Sequence, residues 1–350
     1  MKEDIETNAR KGSRIAYPKM NPSARQTRAL GLCSGGLDSI LAGLVLRAQG
    51  IRVEWVVFTT PFFSAEKAKA ASRQTGIPLS VHDITPVYIE MLKSPRAGYG
   101  KNMNPCMDCH ALMFRLAGEI MAERGFDFLF SGEVLGQRPM SQRRPSLNYV
   151  EKHSGMAGYI LRPLSAQRLP ETVPEQQGLV DRSRLMGLSG RSRKAQIALA
   201  GQFGISDYPA PAGGCLLTDP NYSRRLKDLF DHGHELTGTE LELLKFGRHL
   251  RLVDGTKIIV GRTFQDNQQI LRHVDPTVDT VIRMVEFPGP VVLVPGGGSP
   301  QGIRLAAGIC AGYSKAPADA PADVSITASG DEKILSVIPE SPDSLKSLMI

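Results

Sequence analysis

Long apolar runs are missing from this sequence of 350 residues, and none approaches the ~18–20 residues that a membrane-spanning helix needs. The N-terminal segment also lacks the apolar core of a secretory signal, so we expect a cytoplasmic protein that does not contact a membrane. Cysteine is scarce, with five residues in the whole chain. In a cytosolic chain this number argues against a disulfide framework and favours catalytic or metal-binding thiols.

Charge of one sign is not in large excess, because 42 Lys and Arg stand against 35 Asp and Glu and give a net charge of +7. This modest surplus favours a polyanionic partner such as a nucleic acid without requiring one. Apolar residues make up 41% and charged residues 22% of the chain, which is typical of a globular protein. The length suffices for two or three domains of ~100–200 residues each.

Strand-like and helical patterns alternate over the first two thirds of the chain. Residues 1–28 are polar and aperiodic, which predicts an N-terminal tail. Buried-strand patterns then lie at 29–33, 53–59, 79–84 and 126–132. Helical patterns lie at 37–49, 64–74 (with Ser64 as its N-cap), 111–124 and 192–202. This alternation predicts an α/β domain with a parallel sheet over residues 29–219.

The pattern changes after Pro220, where helices interleave with short strands. Helices are expected near 222–232, 238–246, 263–272 and 300–314, and strands at 257–261 and 290–296. The stretch APADAPAD (316–323) reads as a linker or long loop, and DVSITASG with KILSVIP predicts a terminal hairpin. Residues 220–350 are therefore predicted to form a smaller C-terminal α+β domain.

The segment SGGLDS joins the first predicted strand to a helix, and it has the properties of a phosphate loop. Free N–H groups and the positive end of a helix dipole bind oligophosphates at such a junction. Gly35 and Gly36 let the backbone approach a phosphate closely. Ser34 and Ser39 can donate hydroxyl hydrogen bonds, and Asp38 can orient the loop or hold Mg²⁺. A Walker A loop is absent.

SGGLDS at this position resembles the loop of the PP-loop ATP pyrophosphatases. Members of that superfamily adenylate a substrate oxygen, release pyrophosphate and let a nucleophile displace AMP. The resemblance implies a Rossmann-like, adenine nucleotide alpha hydrolase-like domain that binds ATP and Mg²⁺ at residues 34–39.

A second motif, SGEVLGQ, follows the fourth predicted strand and ends at Gln137. Ligands bind beyond the carboxyl ends of parallel strands, so this loop and SGGLDS should face one crevice. The motif resembles the TGExLGQ segment of ThiI-type tRNA sulfurtransferases, with Ser in place of Thr, which implies nucleotide contacts from Gly132 and Gln137. Phe58 and Thr59, at the end of the second strand, are expected to line an adenine pocket.

Cys106 and Cys109 form a CxxC pair that follows Asn104-Pro105, precedes His110 and opens a helix. A CxxCH motif can attach c-type haem, but that chemistry needs an exported chain. The pair can also be a redox dithiol, with a thiol pKa lowered by the helix N-terminus. It can supply two ligands to a metal or an iron–sulfur cluster, or it can be incidental.

Cys215 lies in a Gly-rich turn, PAGGCLL, which can present a thiol outside the core. Together with Cys106 and Cys109 it resembles the CxxC and distant cysteine of PP-loop tRNA thiolation enzymes. NPCMDCH also resembles the NPxxxCN segment of wobble-uridine thiouridylases, with His110 in place of Asn. Cys33 and Cys310 are expected to be packing residues.

Two mechanisms fit these three thiols. In one, Cys106, Cys109 and Cys215 hold a 4Fe-4S cluster whose fourth iron binds hydrosulfide, and the count of three ligands favours it. In the other, one cysteine carries a persulfide and another resolves it as a disulfide. Either mechanism needs a sulfur donor, which would be sulfide or a persulfide carrier protein.

Basic residues are dense in two stretches, Arg138–Arg144 and Arg182–Lys227, and such clusters suit RNA phosphates. RRM and KH signatures are absent. The segment KIIVGRTFQDNQQI (257–270) resembles the RNA-binding domain found in NFACT proteins and fused to some ThiI-like sulfurtransferases.

The combined motifs, with the Arg162-Pro163-Leu164 segment, resemble the PP-loop tRNA sulfurtransferases over residues 29–218. That resemblance implies an ATP-dependent tRNA uridine thiolase in which Asp38 and the cysteines 106, 109 and 215 are catalytic. Two alternatives remain open from sequence: a PP-loop ligase or sulfurtransferase with a small-molecule substrate, and a non-catalytic protein that binds ATP or RNA.

Overall fold

The computed structural model describes residues 25–210, 214–232 and 236–350. Most of the predicted polar tail therefore lies outside the described residues. The chain divides into two compact units, one drawn from Met1–Phe58, Ala65–His82 and Met107–Pro211, the other from Thr59–Ser64, Asp83–Cys106 and Ala212–Ile350. The domain limits of 29–219 and 220–350 stay a prediction, and the sequence did not indicate that two N-terminal segments group with the C-terminal residues.

The first unit is built around a five-stranded sheet with the order β3-β2-β1-β4-β5. Its strands are β1 (Arg28–Leu32), β2 (Arg52–Thr59), β3 (Leu79–Asp83), β4 (Phe128–Ser131) and β5 (Ile160–Leu161). β1 pairs in parallel with β2 on one side and with β4 on the other, and β4 pairs in parallel with β5. The predicted α/β class with a parallel sheet is confirmed.

Helices alternate with these strands, as the pattern predicted. They are α1 (Leu37–Arg47), α2 (Glu66–Thr75), α3 (Thr85–Lys93, whose residues group with the second unit), α4 (Cys106–Arg124) and α5 (Arg144–Ser154), and after β5 come α6 (Val173–Gln176) and α7 (Lys194–Gln202). The sequence did not predict α3 or α5, and α4 begins five residues before the apolar pattern that indicated it.

The predicted N-cap of α2 is wrong. Ala65, not Ser64, occupies that position, and no side chain caps the helix. The reason is local, because Thr60 and Phe63 exchange backbone hydrogen bonds of 3.1 and 3.3 Å. That tight turn uses the residues before Ser64 and delays the start of the helix.

The core of the first unit explains why β1 ends in an accessible loop. Trp55, Phe128 and Phe130 are almost completely buried, as is the apolar face of α1. A Cβ on Gly31 would lie 2.2 Å from the Phe130 ring, so the strand needs glycine there. Truncating a ring such as Phe130 to Ala costs about 3–5 kcal/mol in typical cores. This packing fixes β1, and with it the loop that follows.

The second unit contains a six-stranded antiparallel sheet with the order β11-β10-β8-β9-β7-β6. Its strands are β6 (Arg248–Arg251), β7 (Lys257–Val260), β8 (Thr280–Met284), β9 (Val292–Val294), β10 (Ala322–Ala328) and β11 (Asp331–Val337). Its helices are α8 (Pro220–His232), α9 (Gly238–Leu243), α10 (Phe264–Arg272) and α11 (Pro300–Gly312).

The smaller α+β domain and its terminal hairpin are confirmed, since β10 and β11 pair from Ala322–Val337 to Ala328–Asp331. β10 begins inside the predicted linker. β6 and β8 were not predicted, because each is short and interrupted by arginine. Within the described ranges, every helix is too short or too polar to cross a bilayer.

Candidate active site

The loops after β1 and β4 lie where the strand order of the first sheet reverses. β1 has β2 on one side and β4 on the other, so the crevice beyond their carboxyl ends is the usual ligand site of such a sheet. A Cβ on Gly132 would lie 2.4 Å from the backbone of Asp38 and Ser39. The two loops are therefore in backbone contact, and the prediction that they share one crevice is confirmed.

Gly35 meets two separate requirements for glycine. Its φ of +72° lies in the left-handed region, which side chains disfavour. A Cβ there would also lie 2.1 Å from the backbone carbonyl carbon of Lys67 in α2. The loop is thus pressed against the next helix, and only glycine fits.

Gly36 is the N-cap of α1, and because glycine has no side chain it makes no side-chain cap hydrogen bond. The first N–H groups of a helix then have no side-chain partner and are available to an anion. Ser34 is exposed, and its Oγ accepts from the Gly36 N–H at 3.3 Å. Ser39 is buried, and its Oγ donates to the Gly36 carbonyl at 2.8 Å. Ser34 is placed to reach a ligand, whereas Ser39 holds the loop.

A chain of hydrogen bonds joins Asp38 to the SGEVLGQ loop and to helix α7. Its Oδ2 accepts from Gln137 Nε2 at 2.7 Å. The Oε1 of Gln137 in turn accepts from Gln196 Nε2 at 2.9 Å, on the first turn of α7. The sequence motifs predicted Asp38 and Gln137 but not their connection.

Several polar atoms around this chain are buried and have no hydrogen-bond partner among the described residues. They are Oδ1 of Asp38, Oε1 of Gln196 and Nε of Arg193. Gln196 is only 1% exposed. Unpaired buried polar atoms are rare and costly in proteins, so this group fits a site that a polar ligand completes.

The electrostatics of Asp38 reflect this incomplete pairing. Burial raises the pKa of its carboxyl group, and hydrogen bonding from Gln137 and Gln196 together with the positive charges of Arg193 and Arg138 opposes the rise only in part. A carboxylate with one unpartnered oxygen beside a phosphate loop is a suitable Mg²⁺ ligand. The donor set therefore fits a nucleotide and its metal ion.

Gln196 and Arg193 are site residues that sequence reasoning missed. Arg193 was noticed only as part of a basic stretch, and Gln196 as part of a predicted helix. No local pattern links either residue to SGGLDS, since about 150 residues of chain separate them. Only the tertiary contacts bring α7 to the phosphate loop.

Glu133, the acidic residue of SGEVLGQ, is buried in a dense polar network. Its Oε2 accepts from Arg162 Nε at 3.0 Å and from Ser131 Oγ at 3.1 Å, and its Oε1 lies 2.9 Å from His110 Nδ1. Arg162 is 3% exposed and also pairs with Glu151. Burial opposes ionisation of Glu133, but Arg162 and His110 outweigh it and lower its pKa to about 2.

This network gives a structural role to two segments that the sequence had singled out. Arg162 comes from the RPL segment, and His110 stands where thiouridylases have Asn. Because Glu133 follows Gly132, its fixed position holds the second loop against Asp38. Glu133 was not predicted as a site residue.

Phe58 lies near the end of β2 and is 3% exposed. Its ring centroid is 6.1 Å from that of His82, with the planes tilted by 51°. The ring therefore packs within its own unit, and its contact with an adenine base stays a prediction.

Cys106 is the first residue of α4, and Cys109 follows three residues later on the same helix. Asn104 Nδ2 donates to the Cys106 sulfur at 3.2 Å. Cys215 is partly buried, and burial raises the pKa of its thiol to about 11, with a smaller contribution from the charge of Cys106. Cys106 and Cys215 thus lie near enough to interact, and Cys215 is protonated at neutral pH in this arrangement.

Metal ligation by these thiols is not preformed. Within the described part of the chain, no group of three or more His, Cys, Asp or Glu side chains is arranged to hold a metal ion. The binding of a 4Fe-4S cluster by the three cysteines stays a prediction. Cys33 and Cys310 are buried in the two apolar cores, as packing residues should be.

Comparison with protein families is consistent with this reading of both units. Residues 24–169 match the family model for the thiamine biosynthesis protein ThiI, and residues 247–349 match that for the NFACT protein RNA-binding domain. One region of the chain is therefore similar to ThiI and another to the NFACT RNA-binding domain. The two resemblances seen in the sequence are confirmed.

Curated relatives match the ThiI-type part of the chain. The probable tRNA sulfurtransferase of Thermotoga maritima is 32% identical over 157 residues, which cover 42% of this chain and 38% of that protein. The tRNA sulfurtransferase of Desulfurococcus amylolyticus is 27% identical over 176 residues, which cover 48% of this chain and 34% of that protein. The match thus spans less than half the length of these relatives.

Among solved structures, a 4-thiouridine synthetase–RNA complex with bound ATP is similar to the chain. The two share 21% sequence identity with a TM-score of 0.33, and the match covers 51% of this chain and 52% of that one. The assignment of the ThiI domain rests on the family model and the local geometry.

Proposed function

We propose that this chain is an ATP-dependent tRNA sulfurtransferase that replaces a carbonyl oxygen of a uridine with sulfur. The observation that carries the proposal is the incompletely paired Asp38 beside the Gly35-Gly36 loop, held by Gln137 from the second loop. The choice of tRNA as the substrate rests on the ThiI family model and on the names of the curated relatives.

ATP would bind with its phosphates at the N-terminus of α1. Gly36 has no side chain and makes no side-chain cap, so phosphate oxygens could reach the first N–H groups of α1. Asp38 would hold Mg²⁺ through its unpartnered oxygen, and Arg138 and Arg193 would balance the charge of the leaving pyrophosphate. The bound metal would neutralise charge on the phosphates.

The first chemical step is adenylation of the uridine. The carbonyl oxygen attacks the α-phosphorus, the bond from that phosphorus to the bridging oxygen breaks, and pyrophosphate leaves. This step converts a poor leaving group into AMP. The residues of the crevice contribute positioning and charge neutralisation and make no covalent bond.

In the second step, a cysteine persulfide transfers its terminal sulfur to the activated uridine. The terminal sulfur attacks the activated carbon, AMP leaves, and a mixed disulfide joins the base to the cysteine. A second cysteine thiolate then attacks the cysteine sulfur, which breaks the S–S bond, releases the thiolated base and leaves a protein disulfide. A dithiol reductant must restore both thiols, and the donor persulfide supplies the sulfane sulfur.

Cys106, Cys109 and Cys215 are the candidates for these two thiols. The high pKa of Cys215 makes it a poor nucleophile until a charge or a ligand changes its surroundings. The alternative, in which all three bind a 4Fe-4S cluster, requires them to converge beyond the arrangement described. Iron and sulfide analysis of anaerobically purified protein decides between the two.

The decisive experiment measures pyrophosphate and AMP formation by anaerobically purified protein, with and without unmodified tRNA. Dependence on tRNA, followed by a thiouridine in the nucleoside mass spectrum after a persulfide donor and a dithiol reductant are added, supports the proposal. Turnover that ignores tRNA and follows a small metabolite would instead identify a small-molecule ligase.

Cysteine variants test the sulfur half of the mechanism separately. Cys109→Ser and Cys215→Ser should each abolish thiouridine formation while tRNA-dependent pyrophosphate release persists. Cys310→Ala is the control, since this thiol is buried in the other core and should leave thiolation intact. Normal thiolation by either serine variant would remove that cysteine from the mechanism.

A further inference from the structure

An exposed aromatic ring stands at the start of α10 in the second unit. Phe264 is the first residue of that helix and is 76% exposed. Burying a phenylalanine side chain is worth roughly 1.5–3 kcal/mol, so a ring left in water forgoes that gain. The helix does not depend on the ring, because Thr263 caps it by accepting from the Asp266 N–H at 3.1 Å.

Polar residues lie next to Phe264 along the same side of helix α10. Phe264, Gln268 and Arg272 follow one another at intervals of four residues and so share a face. Ile270, on the opposite side, is fully buried in the apolar cluster beneath. The exposed face therefore combines an aromatic ring, amides and a guanidinium group.

This face forms one wall of an open groove of about 690 Å³. Its lining includes Lys245, Phe246, Phe264, Gln268, Gln269 and Arg272. The ring of Phe246 stacks on His273 with centroids 6.0 Å apart, which fixes it in the groove floor. The volume lies in the range of small-ligand sites, ~300–1,000 Å³, so one or two nucleotides would fit.

The charges of the groove leave one cation unmatched within the lining. Lys245 Nζ contacts both carboxylate oxygens of Glu242 at 2.6 Å. Asp266 is paired with Arg262 at 2.8 Å. The charges within each of these two pairs cancel. The positive charge of Arg272 is then left without a carboxylate partner in the lining of the groove. The groove thus suits a ligand with an aromatic part and a nearby negative charge.

We propose that this groove binds an unpaired nucleotide of an RNA strand. The base stacks on the exposed face of Phe264, Gln268 and Gln269 contact its edge, and Arg272 binds the adjacent phosphate. RNA is the occupant favoured because the groove lies in and beside the region that matches an RNA-binding domain model. That the RNA is the tRNA substrate rests on the proposed function, but the binding itself does not.

The test is the affinity of the full-length chain for a labelled single-stranded RNA of twelve nucleotides, measured by fluorescence anisotropy without ATP. Phe264→Ala should weaken binding about 5- to 150-fold, the loss of one stacked base. Phe264→Trp should keep the affinity, because any aromatic ring stacks. Arg272→Gln should weaken binding and reduce its salt dependence by about one phosphate contact.

Val253→Ala is the matched control, since Val253 is an apolar residue of the same unit and is 93% exposed. It should bind RNA as the unchanged protein does. Equal affinity of Phe264→Ala and the unchanged chain would overturn the proposal. So would an equal loss in both alanine variants, or competition by an unrelated peptide that is stronger than competition by unlabelled RNA.

A kinetic experiment separates this proposal from the proposed function. If the groove positions tRNA, Phe264→Ala should raise KM for tRNA in pyrophosphate release and leave kcat unchanged. RNA binding that depends on Phe264 without any tRNA-dependent pyrophosphate release would support the groove and refute the thiolation. Normal KM and normal RNA affinity in Phe264→Ala would refute the groove and leave the thiolation standing.

Discussion

Asp38 and Glu133 lie in the two loops that meet beyond β1 and β4, and their surroundings differ in one respect. Both oxygens of Glu133 are paired, and its pKa falls to about 2. Among the residues that the structure describes, only one oxygen of Asp38 has a hydrogen-bond partner, and burial raises the pKa of this carboxyl group. A buried acid that is fully compensated serves the fold, whereas one left incomplete is available to a ligand.

This difference separates two roles, anchoring a loop in the fold and binding a ligand, which the sequence motifs did not distinguish. The loop with Glu133 is anchored by Arg162, a residue buried in the same unit. The carboxylate of Asp38 in the other loop is instead held by the neutral amide of Gln137, which Gln196 supports. Variants of these residues should therefore affect stability in one loop and nucleotide turnover in the other.

The largest effect is expected from Glu133→Gln. Removing this charge leaves the buried Arg162 with Glu151 as its remaining carboxylate partner, which should lower the free energy of unfolding by up to about 3–5 kcal/mol. Urea denaturation at pH 7 measures it. Glu119→Gln is the control, since its pair with Arg115 is exposed and should change little. A similar small change in both would remove the structural role of Glu133.

The pair of Glu133 and Arg162 also predicts that the free energy of unfolding depends on pH. Because the folded pKa of Glu133 lies below its unfolded value, its contribution to stability is present above the unfolded pKa. It is lost as the pH falls through about 2. The unfolding free energy of Glu133→Gln should therefore depend less on pH below 4.

Asp38→Asn should lower tRNA-dependent pyrophosphate release about 10²- to 10³-fold, the loss of one preorganised charge at the reacting phosphates. It should also stabilise the ligand-free protein at neutral pH. The raised pKa of Asp38 means that its ionised form opposes folding as the pH rises through the folded value. Full activity, or a less stable protein, would contradict this account.

Gly35→Ala should cost about 1–3 kcal/mol from its positive φ, and more because its Cβ meets the Lys67 backbone. Gly50→Ala is the matched control, since it has a φ of +83° but nothing within 4 Å of its Cβ. Gly35→Ala should lose more free energy of unfolding than Gly50→Ala and should raise KM for ATP. The difference between the two losses measures the close packing of the phosphate loop. Equal losses would mean that backbone strain alone explains both.

Gln196→Ala is expected to have the smallest effect. It removes the donor to Gln137 Oε1, which should cost about 1–2 kcal/mol of stability and raise KM for ATP. Gln202→Ala changes an exposed glutamine of the same helix and should do neither. An unchanged KM in Gln196→Ala would show that α7 supports the fold without reaching the nucleotide.

Local patterns were enough to predict much of the first unit. SGGLDS and SGEVLGQ each follow a buried strand, and parallel strands bring their carboxyl ends together, so their meeting followed from sequence. The CxxC pair was placed at the start of a helix, which is where Cys106 lies. The ligand set of three thiols was not found among the described residues, and the roles of the cysteines stay a proposal.

Other features had no local signal. The exposed Phe264 lies in a segment that the sequence only likened to an RNA-binding domain. Its exposure follows from the packing of α10, which buries Ile270 on one face of the helix and leaves Phe264 on the other face in solvent. β6 and β8 were missed because a strand of four or five residues with an arginine in it has no distinctive period.

The sequence by itself determined the α/β class, the phosphate loop and the C-terminal hairpin, because each depends on short-range spacing and on the special conformations of glycine. Only the tertiary structure decided which buried acid is compensated. Glu133 meets Arg162 and His110, while Asp38 meets Gln137 and keeps one oxygen without a hydrogen-bond partner in the described part of the chain. Burial and pairing depend on residues distant in the chain, and these interactions set the charge and availability of each acid.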